Sequence, residues 1–199
     1  EWGRGIRKSL SFTELKKAEL QLDIVNEQIA EIKKLHELAP DRSDALMRAL
    51  DSYVENTKVL NGQLIALKQL KGSVGVGRLI DLMLERSFKQ YILLNDLFGV
   101  NAGALGVATD RAIQALVAST MVAPGNIDDW RQWMNRLQRV IKQQQHDNRE
   151  WQAAGFIGYV ELHAPQELVG EMMRLRYRLL TAWIGRLQSV GDFNVLESG

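Results

Sequence analysis

The chain has 199 residues, of which 46% are hydrophobic and 25% charged, a composition that suits a globular protein able to bury its own core. Its 25 basic and 24 acidic residues leave a formal charge of +1, which argues against the concentrated positive field of a nucleic-acid-binding protein. The absence of cysteine excludes disulfides, zinc–thiolate centres and thiol nucleophiles.

Apolar residues at alternating three- and four-residue spacing dominate the first third of the chain. This spacing predicts two long helices that face each other. The positions are Leu15, Ala18, Leu22, Val25, Ile29 and Ile32, followed by Leu46, Leu50, Tyr53, Thr57, Leu60, Leu64 and Leu67.

Capping signals give the expected bounds of these helices. Ser11 and Glu14 form a capping box, which predicts a first helix from about residue 12 to Ala39. The short connection at 40–43 predicts that the second helix runs antiparallel to the first, as far as about residue 70.

Three glycines, Gly72, Gly75 and Gly77, fall within the next few residues. Each costs roughly 1 kcal/mol in a helix interior relative to alanine, so we expect a break or a kink here. Their spacing is similar to that of a phosphate-binding loop, but such a loop follows a β-strand, whereas this segment follows a helix.

Later helices are expected over about 78–98, from about 105 or a Thr109 cap to about 122, from Asn126 onward, and after Pro165. The stretch 155–162 is β-branched and aromatic, and it predicts either a bent connection or a short helix. The chain is therefore expected to be all-α, an elongated up-and-down bundle of four to six helices. We expect a single domain over 1–199, with possible sub-bundles at 11–98 and 103–191.

Catalytic and metal-binding patterns are weak. His36 lies on the first apolar seam and has no second histidine at metal-binding spacing, so we expect it to be a packed or interface residue and not a metal ligand. Asp128 with Asp129, and Glu150, are candidates for paired catalytic carboxylates, but the helix dipole by itself explains acids at the start of a helix. We therefore expect no enzyme activity, no metal and no cofactor.

One pattern is more informative: Glu85-Arg86-Ser87 with Gln90 on the third helix, followed by Thr109-Asp110-Arg111-Ala112. This pattern resembles the helical sensing domains of bacterial transmembrane receptors, including nitrate-sensing and other four-helix ectodomains. The resemblance covers about 78–116, and it departs from the nitrate-type pattern by having Ser87 where glycine is common. It implies a bundle held between two membrane helices that binds a small ligand and relays the event by helix movement.

The candidate ligand-binding residues are Arg86, Gln90 and Arg111. A guanidinium presents five donors in a fixed fork that suits a carboxylate or another oxyanion, and Gln90 lies one turn from Arg86. Arg111 is a possible second clamp. In the competing interpretation, Arg86 pairs with Glu85 or another surface carboxylate.

Two functions follow as hypotheses. The first is a ligand-sensing domain of a bacterial receptor, periplasmic and homodimeric, that binds a small molecule, with anions among the candidates. The chain begins with Glu1, so we interpret it as a fragment, and this hypothesis includes flanking membrane segments absent from it. The alternative is a non-enzymatic helical scaffold, adaptor or secretion-system component that binds a protein partner, with the cytoplasm as the alternative location. Neither hypothesis includes nucleic acid.

Overall fold

A computed structural model describes residues 2–75, 77–99, 103–121, 127–144 and 149–190. Within these ranges the chain forms seven helices and no strand. They are α1 Trp2–Leu38, α2 Ser43–Gly75, α3 Gly77–Phe98, α4 Ala104–Thr120, α5 Ile127–Gln144, α6 Glu150–Glu161 and α7 Gln166–Val190. The all-α prediction is confirmed, and the count exceeds the expected four to six because the segment around 155–162 forms the separate helix α6.

The chain divides into two compact units, Glu1–Arg136 and Leu137–Gly199. The boundary falls inside α5, where the sequence carries no glycine- or proline-rich linker. Whether the chain behaves as a single domain stays a prediction.

In the first unit, α1 and α2 are antiparallel along their apolar seams. Gln21 donates from Nε2 to the side-chain oxygen of Asn56 at 3.0 Å, and Gln28 donates to the Ser52 hydroxyl at 2.9 Å. Higher numbers on α1 thus meet lower numbers on α2. Most of the predicted seam is buried: Ala18, Leu22, Val25, Ile29 and Ile32 on α1, and Leu46, Leu50, Tyr53, Thr57, Leu60, Leu64 and Leu67 on α2.

The third helix runs parallel to the first. Asp23 pairs with Arg86 and Asn26 with Gln90, at sequence separations of 63 and 64, and further along the His36 ring meets that of Phe98 edge-on, with centroids 5.1 Å apart. The near-constant offset shows that α1 and α3 lie side by side with one register, and the half-buried His36 packs its ring against Phe98.

The fourth helix packs against α2 and α3 and completes the up-and-down order of the first unit. Trp133 of α5 donates from Nε1 to the carbonyl of Thr120 at 2.7 Å, which satisfies a carbonyl at the end of α4. Trp130 and Trp133 are buried.

Helix α1 begins earlier than predicted, at Trp2. The capping box of Ser11 and Glu14 lies inside the helix, and Glu14 pairs instead with Lys17 at 2.8 Å. The prediction of a start near residue 12 was wrong because serine and glutamate are also tolerated in helix interiors, so their spacing does not by itself stop a helix.

The expected interruption after α2 is confirmed, since α2 ends at Gly75 and α3 begins at Gly77. Gly77 also provides space for a neighbour: Arg136 of α5 donates to its carbonyl at 2.7 Å, and a Cβ on Gly77 would lie 3.1 Å from that guanidinium. The Asn126 cap of α5 lies outside the described residues.

In the second unit, α6 and α7 form an antiparallel hairpin. Glu161 at the end of α6 pairs with Arg176 of α7 at 3.2 Å, and the buried Glu150 at the start of α6 pairs with Arg186, further along α7. The inner face of α7 buries Leu168, Met172, Leu175 and Leu179. In the described part of the chain, no helix is long and apolar enough to cross a membrane.

Glycine substitutions test the helix assignments. Gly62 is exposed in the middle of α2, and an added Cβ would meet nothing within 4 Å. We expect Gly62→Ala to raise the free energy of unfolding by about 0.5–1 kcal/mol, because alanine loses less backbone entropy in a helix.

At Gly99, which follows α3, an added Cβ would meet the backbone oxygen of Asn95. Gly99→Ala should therefore lower stability, and urea unfolding of both variants would show opposite signs.

Candidate functional site

A polar layer that joins three helices crosses the first unit at one level. It consists of Asn26 on α1, Tyr53 on α2 and Gln90 on α3. The Tyr53 hydroxyl donates to the Gln90 side-chain oxygen at 2.7 Å, and the Gln90 amide nitrogen donates to the side-chain oxygen of Asn26 at 2.6 Å. These two hydrogen bonds join three helices through one glutamine.

Each member reaches the layer because of its place in a helical repeat. Tyr53 occupies an apolar seam position between Leu50 and Leu60, so its ring is fully buried and only its hydroxyl is left to find a partner. Gln90 lies between the buried Phe88 and Tyr91 and is only 5% exposed. A buried amide without partners costs about 1–3 kcal/mol, so the two bonds fix how the helices align.

Burial also changes the chemistry of the tyrosine. Desolvation raises the pKa of Tyr53 far above its ordinary value, and the neighbouring Thr57 side chain opposes this only in part. Burial therefore favours the protonated phenol, which is the form that donates to Gln90.

Arg86 lies one turn before Gln90 on α3, at the edge of the polar layer. Its Nη1 donates to a carboxylate oxygen of Asp23 on α1 at 2.9 Å. The arginine side chain is 32% exposed and the aspartate 61%. A pair as open to water as this one contributes at most about 1 kcal/mol, because solvent screens it and two long side chains lose freedom.

The predicted site residues are therefore only partly brought together. Arg86 and Gln90 neighbour the same face of α1, but they bind different partners there. Arg111 lies on α4, with Nη2 3.5 Å from Asp51 of α2, and both side chains are exposed. Arg86 pairs with Asp23, a surface carboxylate, as the competing interpretation anticipated, while Glu85 pairs with Lys89. A second clamp at Arg111 stays a prediction.

Sequence reasoning missed Asp23, Asn26 and the hydroxyl of Tyr53. Tyr53 was counted only as an apolar seam residue. The sequence contained one indication of Asn26, because this polar residue directly follows the seam residue Val25 on α1. Its partner on α3 could not be read from the sequence, because the pair is separated by 64 residues.

Other candidate carboxylates have cationic partners. Asp128 lies 3.2 Å from Arg131, and Asp129 lies 3.5 Å from Lys68. Glu150 pairs with Arg186. Over the described ranges, no cluster of three or more histidine, cysteine, aspartate or glutamate side chains is arranged to hold a metal ion.

Comparison with known proteins leaves the chain unassigned: no family model, no curated protein and no solved structure matches it. The chemistry of the site must therefore be judged from its own groups. Arg86 offers a part-exposed guanidinium that is held by one weak ion pair, whereas the amide and hydroxyl groups of the polar layer beside it are buried and bonded to one another. A guanidinium of this kind suits recognition of a small oxyanion.

Removal of the Tyr53 hydroxyl tests the polar layer. Tyr53→Phe leaves the buried Gln90 oxygen without its donor, and we expect the free energy of unfolding to fall by about 1–3 kcal/mol. Tyr177→Phe is the matched control, because Tyr177 is 72% exposed; it should change stability by less than about 0.5 kcal/mol. Equal effects of the two substitutions in urea unfolding would contradict the assignment.

The raised pKa of Tyr53 predicts a pH dependence. Above its ordinary pKa of about 10, Tyr53 loses its proton in the unfolded chain but keeps it in the folded one, so rising pH favours unfolding. We expect wild-type stability to fall more steeply than that of Tyr53→Phe above pH 10, by up to about 1.4 kcal/mol per pH unit. Urea unfolding of both proteins at a series of pH values would measure the difference, and parallel curves would contradict it.

Proposed function

We propose that the chain is a ligand-sensing helical domain of a bacterial signal-transduction receptor, in which a small anion binds Arg86 and shifts α1 relative to α3. The observation that supports this most directly is the weak Arg86–Asp23 pair beside the buried polar layer. An anionic ligand that replaces Asp23 on the guanidinium would remove an electrostatic link between the two helices at the level where their alignment is fixed.

Helix movement is a reasonable response to such binding. The parallel register of α1 and α3 includes the Arg86–Asp23 pair, the Gln90–Asn26 bond and the His36–Phe98 ring contact. Packed helices change between discrete arrangements, and a ligand shifts the balance by its difference in affinity for the two. The replacement of an ion pair worth about 1 kcal/mol or less by a stronger bidentate contact would supply such a difference.

The proposal also covers the receptor to which the chain would belong: it is homodimeric and periplasmic, with membrane segments outside this chain. Its basis is the sequence resemblance around Arg86 and Arg111, together with the all-helical fold.

A thermal-shift screen against small oxyanions and amino acids tests the proposal. A ligand at about 100 times its Kd stabilises the folded state by about 2.7 kcal/mol, which corresponds to roughly 5–10 °C for a chain of this size. We expect at least one compound to raise the melting temperature of the wild type and to lose this effect in Arg86→Ala.

Arg131→Ala is the matched control, since Arg131 also forms one exposed pair with an aspartate. It should keep the full shift. Arg111→Ala reports separately on the second clamp. A panel without effect on the wild type, or a shift that survives in Arg86→Ala, would contradict sensing at this site.

A non-enzymatic adaptor that binds a protein partner is the second candidate function. It is favoured by one observation, an exposed apolar stripe on α7.

A further inference from the structure

Helix α7 carries two apolar stripes. The inner stripe faces α6 and is buried. The second, which we term the outer seam, has the three- and four-residue alternation of a coiled-coil core and remains accessible. It consists of Gly170, Met173, Tyr177, Leu180, Ile184 and Leu187.

Large apolar side chains of the outer seam are open to solvent. Tyr177 is 72% exposed, Met173 57% and Ile184 42%, while Leu180 and Leu187 are half-buried. From 170 to 187 the seam is about 26 Å long at 1.5 Å per residue. A contiguous apolar strip of this length, with heptad spacing, is typical of a surface that binds another helix.

The charge beside the outer seam indicates what kind of helix fits. An open surface groove is lined by Met173 and Tyr177 together with Arg174, Arg178 and Glu171. Arg174 and Arg178 are exposed, and on the other border Arg176 pairs with Glu161 of α6. Arg176 is thus already paired, but in the groove itself two arginines face one glutamate, and an acidic partner complements this net positive charge.

A second copy of α7 fits this border less well. In a parallel pair, coiled-coil geometry places Arg174 beside Val169 of the other copy and Arg176 beside Thr181, so neither arginine gains a carboxylate. In the antiparallel pair that overlaps the whole seam, Arg174 lies beside Thr181 of the other copy and Arg176 beside Trp183, so again neither arginine gains a carboxylate. A register that brings Glu167 opposite Arg174 leaves the C-terminal half of the seam uncovered.

We propose that the outer seam docks an amphipathic helix of a partner protein, about five turns long, with aspartate or glutamate beside its apolar positions. This inference goes beyond the proposed sensing function and uses only residues of α7. It holds whether or not an anion binds at Arg86.

Fluorescence anisotropy with the full chain and two synthetic peptides tests the docking site. Both peptides contain three heptads with isoleucine at a and leucine at d; one has glutamate at e and g, the other lysine. We expect the acidic peptide to bind at least tenfold more tightly than the basic one at low salt, and to weaken as salt rises, because the flanking charges are screened.

Tyr177→Glu should reduce binding of the acidic peptide at least tenfold, because it places a carboxylate in the seam. The exposed position of Tyr177 keeps the fold intact, which circular dichroism would verify. Leu20→Glu is the control, since Leu20 is an equally open apolar residue on α1, 63% exposed. It should leave binding unchanged. The double variant Arg174→Glu with Arg178→Glu should reverse the preference toward the basic peptide.

Three results would overturn the inference. They are absence of binding by the acidic peptide, equal affinity for both peptides, and a chain that sediments as a dimer in the wild type but as a monomer in Tyr177→Glu. The last result would assign the outer seam to a second copy. None of these readouts depends on Arg86, so a failure here and a failure of the anion screen are distinguishable.

Discussion

The hydrogen bonds from Tyr53 to Gln90 and from Gln90 to Asn26 are the constraint on which the first unit depends. Apolar seams drive helices together but define their axial alignment poorly, since leucine packs almost as well against one neighbour as against the next. A buried amide between two partners removes this freedom, because a shift by one turn of about 5.4 Å would break both bonds. The polar layer therefore sets the register that the apolar residues stabilise.

This arrangement also explains why we propose Arg86, among the cations of the first unit, as the residue that binds the ligand. Its partner Asp23 lies one turn from Asn26 along α1, so the weak exposed pair and the strong buried bonds act on the same helix interface. A change of partner at Arg86 would cost little where the ion pair is solvated, yet it would act beside the bonds that hold the register. Arg111 lacks this context, because its exposed pair with Asp51 joins α4 to α2.

Different interactions hold the second unit together. Its hairpin is held by the inner apolar stripe of α7 and by ion pairs near its two ends, Glu161 with Arg176 and the buried Glu150 with Arg186. A buried carboxylate is tolerated only when a cation lies against it, so the Glu150 pair ties the start of α6 to a fixed point on α7. With the inner face thus occupied, the apolar residues on the opposite face of α7 are left for another molecule.

Periodicity and glycine spacing determined much of this protein: the all-α class, the seams of α1 and α2, and the interruption near Gly77. These features follow from local spacing, which the sequence displays directly. Only the tertiary structure decided that α6 is a helix, that Tyr53 donates a hydrogen bond as well as filling a core position, and that Arg86 meets Asp23. Each of these depends on which residues become neighbours across two or more helices, and helical spacing fixes the face of a residue but not its partner.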